Sequence, residues 1–367
     1  MTRHVATPPG SGRLALWPIP VSDLGGVARH VLDVGTAGLP GWDLVVLCPP
    51  GPFAEVATER GLEVRADAFG RPAGMTASLR TLRRTIRSLA PSVVHTHLAY
   101  ADLIAAAVGP GRGGTLVTTE HGISTADAAL HESSIMSGVM ARMHRLRHHR
   151  TDGLIAVSDA TLEAVRTKWH PPASLATTVI RNGIDRPERM RPREPGLHIG
   201  AVGRLAPEKN LPMLIRSFST VVARHPDARL TIAGHGALRS ELVAQVAAAG
   251  LAAVVDFPGH VDSSTVFTEL DVVVMPSVFE NCSYTLLEAA ATGCGVVATD
   301  VGGNSEILSP GSLVPLGDDD AMEEAIIRQG LDLSLRPGLA DGWPSVADMC
   351  ASIVAFYETL TTSGAPA

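Results

Sequence analysis

Short apolar runs alternate along this chain with polar or glycine-rich turns and with segments whose apolar residues recur at helical spacing. In the first half, Leu14–Ile19 reads as a strand ending at Val21-Ser22-Asp23-Leu24-Gly25-Gly26, and Val27–Val34 continues as a helix. Leu44–Cys48 is an apolar strand closed by Pro49-Pro50-Gly51, with helices expected over Glu55–Gly61 and Thr76–Leu89. Ser92–His95 runs as a strand into His95-Thr96-His97, followed by the helix Ala99–Val108. Leu116–Thr119 runs into Glu120-His121-Gly122, and Gly153–Val157 into Ser158-Asp159. Strands of this length alternating with helices imply a parallel sheet with right-handed crossovers.

The pattern breaks near Asn182-Gly183-Ile184-Asp185 and resumes after the Pro-rich, aperiodic stretch Arg186–Gly196, which reads as a linker. The second series predicts strands at His198–Val202, Arg229–Ala233, Val254–Phe257, Val272–Met275 and Val296–Thr299. Helices are predicted at Leu211–Arg224, Leu238–Ala249, Ser264–Leu270 and Thr285–Thr292, with a last one at Val346–Thr361. The expected architecture is therefore α/β, with two Rossmann-like parallel-sheet domains facing across a cleft. Their expected bounds are 13–185 and 197–345, after a disordered tail at 1–12, with the helix of 346–367 packing back on the first domain. In such sheets ligands sit beyond the carboxyl ends of the strands. Polar or glycine residues punctuate those ends in both halves: Gly25-Gly26, His95, His97, His121, Ser158, Gly203-Arg204, Gly234, Gly259-His260 and Glu280.

Composition sharpens this picture in three ways. The 367 residues suit two ordinary domains, and 45% are hydrophobic while only 4% are aromatic, which favours close helix-on-sheet packing by small residues. No run approaches the roughly 20 apolar residues of a membrane-spanning helix, and Met1–Gly12 lacks a signal-peptide core, so a cytoplasmic location is expected. The four cysteines show no metal-like spacing and read as buried thiols. The net charge of −7 divides into +3 over residues 1–185 and −10 over 186–367, which suggests different partners for the two halves. Of 30 basic residues only Lys168 and Lys209 are lysines.

Lys209 falls in Val202-Gly203-Arg204-Leu205-Ala206-Pro207-Glu208-Lys209-Asn210, a loop between a strand and a helix. Backbone N–H groups and the helix dipole favour an anion there, and an Arg fork beside a Lys point charge suits a diphosphate. The ordinary explanation is a surface loop with a Glu–Lys pair. A second segment places Glu280 after a strand and Glu288 just inside the next helix, with Asn281, Cys282, Ser283, Tyr284 and Thr285 between them. Its amides form another anion-favouring start, and each carboxylate can grip a vicinal diol through paired acceptors. Glu288 as a mere helix-dipole partner is the plain alternative.

Together these segments resemble the C-terminal domain of the retaining family 4 glycosyltransferases, which have the GT-B fold. The resembling residues are Gly203-Arg204-Leu205, Glu208-Lys209, Ala233-Gly234-His235-Gly236, Phe257-Pro258-Gly259-His260-Val261 and Glu280 with Glu288-Ala289 and Gly293. They continue through Val297-Ala298-Thr299-Asp300-Val301-Gly302-Gly303. The resemblance implies that Arg204 and Lys209 bind the donor diphosphate, Glu288 the ribose, and that Glu280 faces the transferred sugar. It assigns the amides of 281–285 to sugar hydroxyls and phosphate, and His260 and Val261 to the neighbourhood of the base. In the first domain Gly25 and Gly26 resemble the glycine loop at the diphosphate, and His121 the histidine beside the donor sugar. Where many relatives carry a small or apolar trio after the first Glu, this chain has Asn281-Cys282-Ser283, so the donor sugar is left open.

The expected reaction is hexose transfer from a nucleotide-diphosphate sugar to a glycan, lipid-linked or small-molecule hydroxyl, without cofactor, metal or nucleic acid. Fixed cations replace a divalent ion, since no Asp-x-Asp pair stands at a strand end. Asp318-Asp319-Asp320 reads as a helix-capping turn. His144 and His148 have metal-like spacing but lack a third ligand in register, and Arg142–Arg150 reads instead as a basic helical face. With Arg80, Arg83, Arg84 and Arg87 on one helix face, it suggests peripheral contact with anionic membrane lipids. A nucleotide-sugar epimerase of the same fold and a non-catalytic nucleotide-sugar-binding protein are the alternatives.

Overall fold

The computed structural model describes residues 12–123, 142–187, 193–261 and 263–363; the expected N-terminal tail lies almost wholly outside them. The chain forms two compact units, Met1–Gly183 with Pro344–Ala367, and Ile184–Trp343.

Unit 1 is built on a seven-stranded, all-parallel sheet: β1 (Leu14–Pro18), β2 (Asp43–Cys48), β3 (Glu63–Ala66), β4 (Val93–His97), β5 (Thr115–Glu120), β6 (Gly153–Ala156) and β7 (Ala176–Val179). Their order is β3-β2-β1-β4-β5-β6-β7, so the winding reverses between β1 and β4. Helices α1 (Gly26–Ala37), α2 (Pro52–Glu59), α3 (Met75–Leu89), α4 (Ala99–Val108) and α5 (Asp159–Trp169) supply crossovers. β1, β2 and β4 are apolar on both faces because helices cover both, so their side chains divide between two buried clusters.

Unit 2 repeats the plan with β8 (His198–Val202), β9 (Arg229–Ala233), β10 (Val255–Gly259), β11 (Val272–Met275), β12 (Gly295–Thr299) and β13 (Leu313–Val314) in the order β10-β9-β8-β11-β12-β13. Its helices are α6 (Leu211–Arg224), α7 (Arg239–Ala248), α8 (Ser263–Glu269), α9 (Tyr284–Ala291), α10 (Asn304–Ile307) and α11 (Asp319–Leu331). Asp318 caps α11 by accepting from the Ala321 N–H, and Asp319 pairs with Arg216, so the acidic triplet serves the helix start. β13 and α10 escape a pattern search because two and four residues show no period.

The last helix, α12 (Val346–Ser363), belongs to unit 1. Val346, Met349, Cys350, Ile353 and Tyr357 recur at helical spacing and enter the cluster around Trp17. Tyr357 accepts from Trp17 Nε1 at 2.9 Å, and its hydroxyl lies 2.5 Å from His95 Nδ1. Gly153 admits this helix, because a Cβ there would stand 2.5 Å from Leu360 and 2.8 Å from Phe356. The expected linker at 186–196 is fastened to unit 2 at its far end. Residues 188–192 lie outside the described set, but Arg193 donates to the carbonyls of Phe267, Leu270 and Thr292 and so ties the chain to unit 2.

The expected basic face at 142–150 needs correction. Arg147 is fully buried, its guanidinium against the carboxyl groups of Asp102 and Glu120, while Arg142, Arg145 and Arg150 stay exposed. His144 stacks on Trp169 with centroids 4.2 Å apart, and His148 is buried against the same ring. The i, i+4 histidines are thus packing residues. One cation faces two buried carboxylates here, and burial pushes the Glu120 carboxyl up to about 8. A protonated Glu120 leaves Arg147 and Asp102 as a neutral pair. Because the folded chain holds this proton above the ordinary value of 4.5, its stabilising effect is full below 4.5 and is lost as pH rises through 8. Parallel pH series should show the parent's melting temperature falling between pH 5 and 8 and Glu120→Gln flattening that fall. Unchanged slopes would refute a protonated Glu120.

Candidate active site

In unit 2 the winding reverses between β8 and β11, and there the carboxyl ends of the two strands diverge. A small pocket opens at this point, lined by Val202, Gly203, Arg204, Lys209, Met275 and Ser277 among others. Two loops meet in it. The loop after β8 carries Lys209, the loop after β11 carries Glu280, and the Val278 N–H donates to the Glu208 carbonyl at 2.8 Å. That bond fixes the loops so that the Lys209 ammonium pairs directly with the Glu280 carboxylate. Ser277 Oγ, fully buried, donates to the same carboxylate oxygen at 2.8 Å, and Thr299 Oγ1 bonds the Ser277 carbonyl. Arg204 reaches outward, 71% exposed, to Glu208 at 2.7 Å.

Backbone closeness explains the glycines of this site. Gly234 has φ +132°, and a Cβ there would lie 1.8 Å from the Gly203 carbonyl oxygen. Only glycine lets the turns after β8 and β9 touch. The Leu205 N–H donates to the His235 carbonyl at 2.8 Å, and the Gly234 N–H to the Gly259 carbonyl at 2.6 Å, fastening three strand ends together. His235 and His260 lie face to face with centroids 6.4 Å apart, which places His260 at the same end of the sheet as Gly234. Val261, half-buried, follows it.

α9 begins at Tyr284, and Ser283 caps it, its Oγ accepting from the Leu286 N–H at 3.4 Å. Thr285 Oγ1 donates to the Val202 carbonyl, so the helix start is anchored to the end of β8. Cys282 is buried, whereas Asn281, Tyr284, Thr285 and Glu288 are half-buried. Sequence reasoning missed Ser277, which looks like ordinary strand-end punctuation; its place three residues before Glu280 was the available signal.

The predicted residues of unit 1 also stand at a winding reversal. Gly25 and Gly26 are exposed at the start of α1, with no atom near where a Cβ would stand. His121, just past β5, has Nε2 2.8 Å from His97 Nδ1, at the end of β4. His30, from α1, lies 4.8 Å from His121 between ring centroids, and its Nδ1 is 3.2 Å from Asn182 Oδ1. Burial, with His30 and His95 nearby, holds the His121 imidazole well below its usual range, so the ring is neutral at neutral pH. Sequence reasoning missed His30, whose position among the apolar residues of α1 reads as core.

Comparison with known proteins bears on the fold and the family. Residues 196–330 match the family described as glycosyl transferases group 1, and residues 24–187 match glycosyltransferase family 4. The chain is 31% identical over 332 residues to the glycogen synthase of Mycobacterium tuberculosis, covering 80% of this chain and 79% of that one. It is 30% identical over 375 residues to the phosphatidyl-myo-inositol mannosyltransferase of the same organism, covering 93% and 95%. Among solved structures, Anabaena HepE in complex with UDP-glucose superposes with a TM-score of 0.75 at 18% identity, covering 96% of this chain and 98% of that one. Sucrose-phosphate synthase from Thermosynechococcus elongatus gives 0.72 at 17%, covering 96% and 97%. The two parallel-sheet α/β units are those of the GT-B glycosyltransferases, and the chain belongs to glycosyltransferase family 4, the glycosyl transferases group 1.

Proposed function

We propose that this glycosyltransferase is a retaining, metal-independent enzyme that moves a hexose from a nucleotide-diphosphate sugar to a hydroxyl acceptor. The observation that carries the reading is Lys209, held on Glu280 inside the pocket at the β8–β11 divergence. In the reaction the bond between the anomeric carbon and the diphosphate oxygen breaks, and negative charge collects on the leaving diphosphate. Lys209 and Arg204, with the amides of 281–285 at the start of α9, stabilise that charge. A preset cation does so with little reorganisation, which is the role a divalent ion plays in other transferases. The acceptor oxygen bonds to the anomeric carbon on the face the diphosphate leaves, and its proton passes to a leaving phosphate oxygen. Glu280 positions Lys209 and faces the sugar, and neutral His121 offers a ring nitrogen to a sugar hydroxyl. Gly25 and Gly26 leave the α1 N-terminus open to phosphate.

A hexose donor is supported by the relatives, whose names include mannosyltransferases and whose fold neighbour is solved with UDP-glucose. The test is transfer to a glycan or lipid-linked acceptor in EDTA, with product anomers assigned by NMR. Inverted product, or transfer that stops in EDTA and returns with magnesium, would overturn the reading.

Glu288 is assigned to the donor ribose. Glu288→Gln should raise the donor Kd about tenfold, the loss of roughly one charged hydrogen bond, with a smaller effect on kcat. An unchanged donor Kd, by calorimetry, counts against that role.

Peripheral membrane contact is part of the same proposal. No helix among the described residues is long and apolar enough to cross a membrane. Arg80, Arg83, Arg84 and Arg87 are all exposed on α3, with Met75 56% exposed at its start. Replacing Arg80, Arg83 and Arg87 by Glu should abolish co-flotation with anionic vesicles at about 0.1 M salt. Equal flotation of parent and variant would end this part of the reading.

A further inference from the structure

His30, His97 and His121 have features that sugar transfer does not use. His30 Nδ1 faces the Asn182 carbonyl oxygen, which only accepts, so Nδ1 carries the ring proton and Nε2 is a bare lone pair. That Nε2 is buried and finds no hydrogen-bond partner, and His97 Nε2 is in the same condition. Both rings are at least nine-tenths buried, at 2% and 0% exposure. An unpartnered buried ring nitrogen costs on the order of 1–3 kcal/mol, and two such atoms in one cluster call for a shared partner. One nitrogen each from His30, His97 and His121 lies within 4.8 Å of the other two. The rings come from α1 and the ends of β4 and β5, elements fixed by the sheet on either side of the winding reversal.

We propose that His30, His97 and His121 form a binding site for a single transition-metal ion of the zinc class. Three neutral imidazoles are a donor set suited to Zn²⁺, Co²⁺ or Ni²⁺ and unsuited to Mg²⁺ or Ca²⁺, which take oxygen ligands. The bond from His30 Nδ1 to Asn182 is the outer contact that orients a metal-bound histidine and fixes its tautomer. Metal–nitrogen bonds of about 2.0–2.1 Å in a tetrahedral site set ligand nitrogens about 3.4 Å apart, inside the 4.8 Å within which these atoms already lie. The fourth position is left for water or a small ligand. Occupancy engages His121, so on the transfer reading above the metal is an inhibitor of transfer; the site itself does not depend on that reading.

The test uses the tag-free full chain, stripped with chelator and titrated with ZnCl₂ or CoCl₂. One equivalent per chain should be taken up and survive desalting. The cobalt form should show the intense visible absorption of a four-coordinate ion, and Mg²⁺ should give no uptake. His121→Ala, at a half-buried strand end, and His30→Gln should each lower metal affinity at least tenfold, the size of effect typical of disturbing a metal site. Folding of both variants is checked by circular dichroism, and at least one must be folded for the comparison. No stoichiometric uptake by the folded parent, or equal uptake by a folded variant, would overturn the site. Zinc binding without loss of transfer would leave the site standing and remove His121 from transfer.

Discussion

Lys209→Ala should lower kcat by about 10²- to 10³-fold, with donor Kd changed much less, because the ammonium acts on charge that appears only as the diphosphate leaves. The variant should fold normally. Glu280 keeps its bond from Ser277 Oγ, and the loops stay joined through Val278 and Glu208. Lys209→Arg should retain part of the rate, since it keeps a cation but not its point geometry. Single-turnover transfer at saturating donor measures the effect directly. A near-normal rate for Lys209→Ala would remove the leaving-group role, and a melting temperature reduced by many degrees would show that the pair serves the fold instead.

Arg147→Met should destabilise unit 1 by about 3–5 kcal/mol, because it strands Asp102 without a counter-charge in the interior. It also removes the guanidinium lying 4.9 Å over the Trp169 ring. Adding Asp102→Asn to the same variant should restore part of the loss, which separates stranded charge from lost packing. Tryptophan fluorescence reports the transition, since Trp17, Trp42 and Trp169 are in unit 1 and Trp343 alone is in unit 2. A loss under about 1 kcal/mol would mean that water or relaxation screens Asp102.

Most of the fold was legible because parallel strands buried on both faces are written as unbroken apolar runs. His198–Val202, Arg229–Ala233, Val272–Met275 and the helices Ala99–Val108 and Leu211–Arg224 stand as the pattern predicts. β3 and β7 were missed because they lie at sheet edges with half their surface open, and Glu63-Val64-Arg65-Ala66 carries no apolar run. The meeting of Lys209 with Glu280 is foreshadowed by position, each following a strand, but their direct pairing spans a separation of 71 positions that the intervening fold must close. The arginine-rich stretch near 145 departs from the expected basic face because charge in a sequence does not fix exposure. Arg147 is buried by carboxylates 45 and 27 positions away, at Asp102 and Glu120, which no local period can announce. His30 was hidden for the same reason, its meaning supplied by His97 and His121 from two other strand ends.

The place of α12 bears on how the chain is made. Unit 2 is an uninterrupted stretch, whereas unit 1 is split around it, and Tyr357 closes on Trp17 across 340 positions. During synthesis at about 5–20 residues per second, β1 therefore waits for tens of seconds before the helix that seals its core exists. Unit 2 has all its own strands before that moment. The later unit in sequence is thus the earlier one able to finish folding, and the nascent first unit carries an open apolar face where α12 will lie. That interval is when the protein is most exposed to aggregation, and when chaperone binding would do most for its yield.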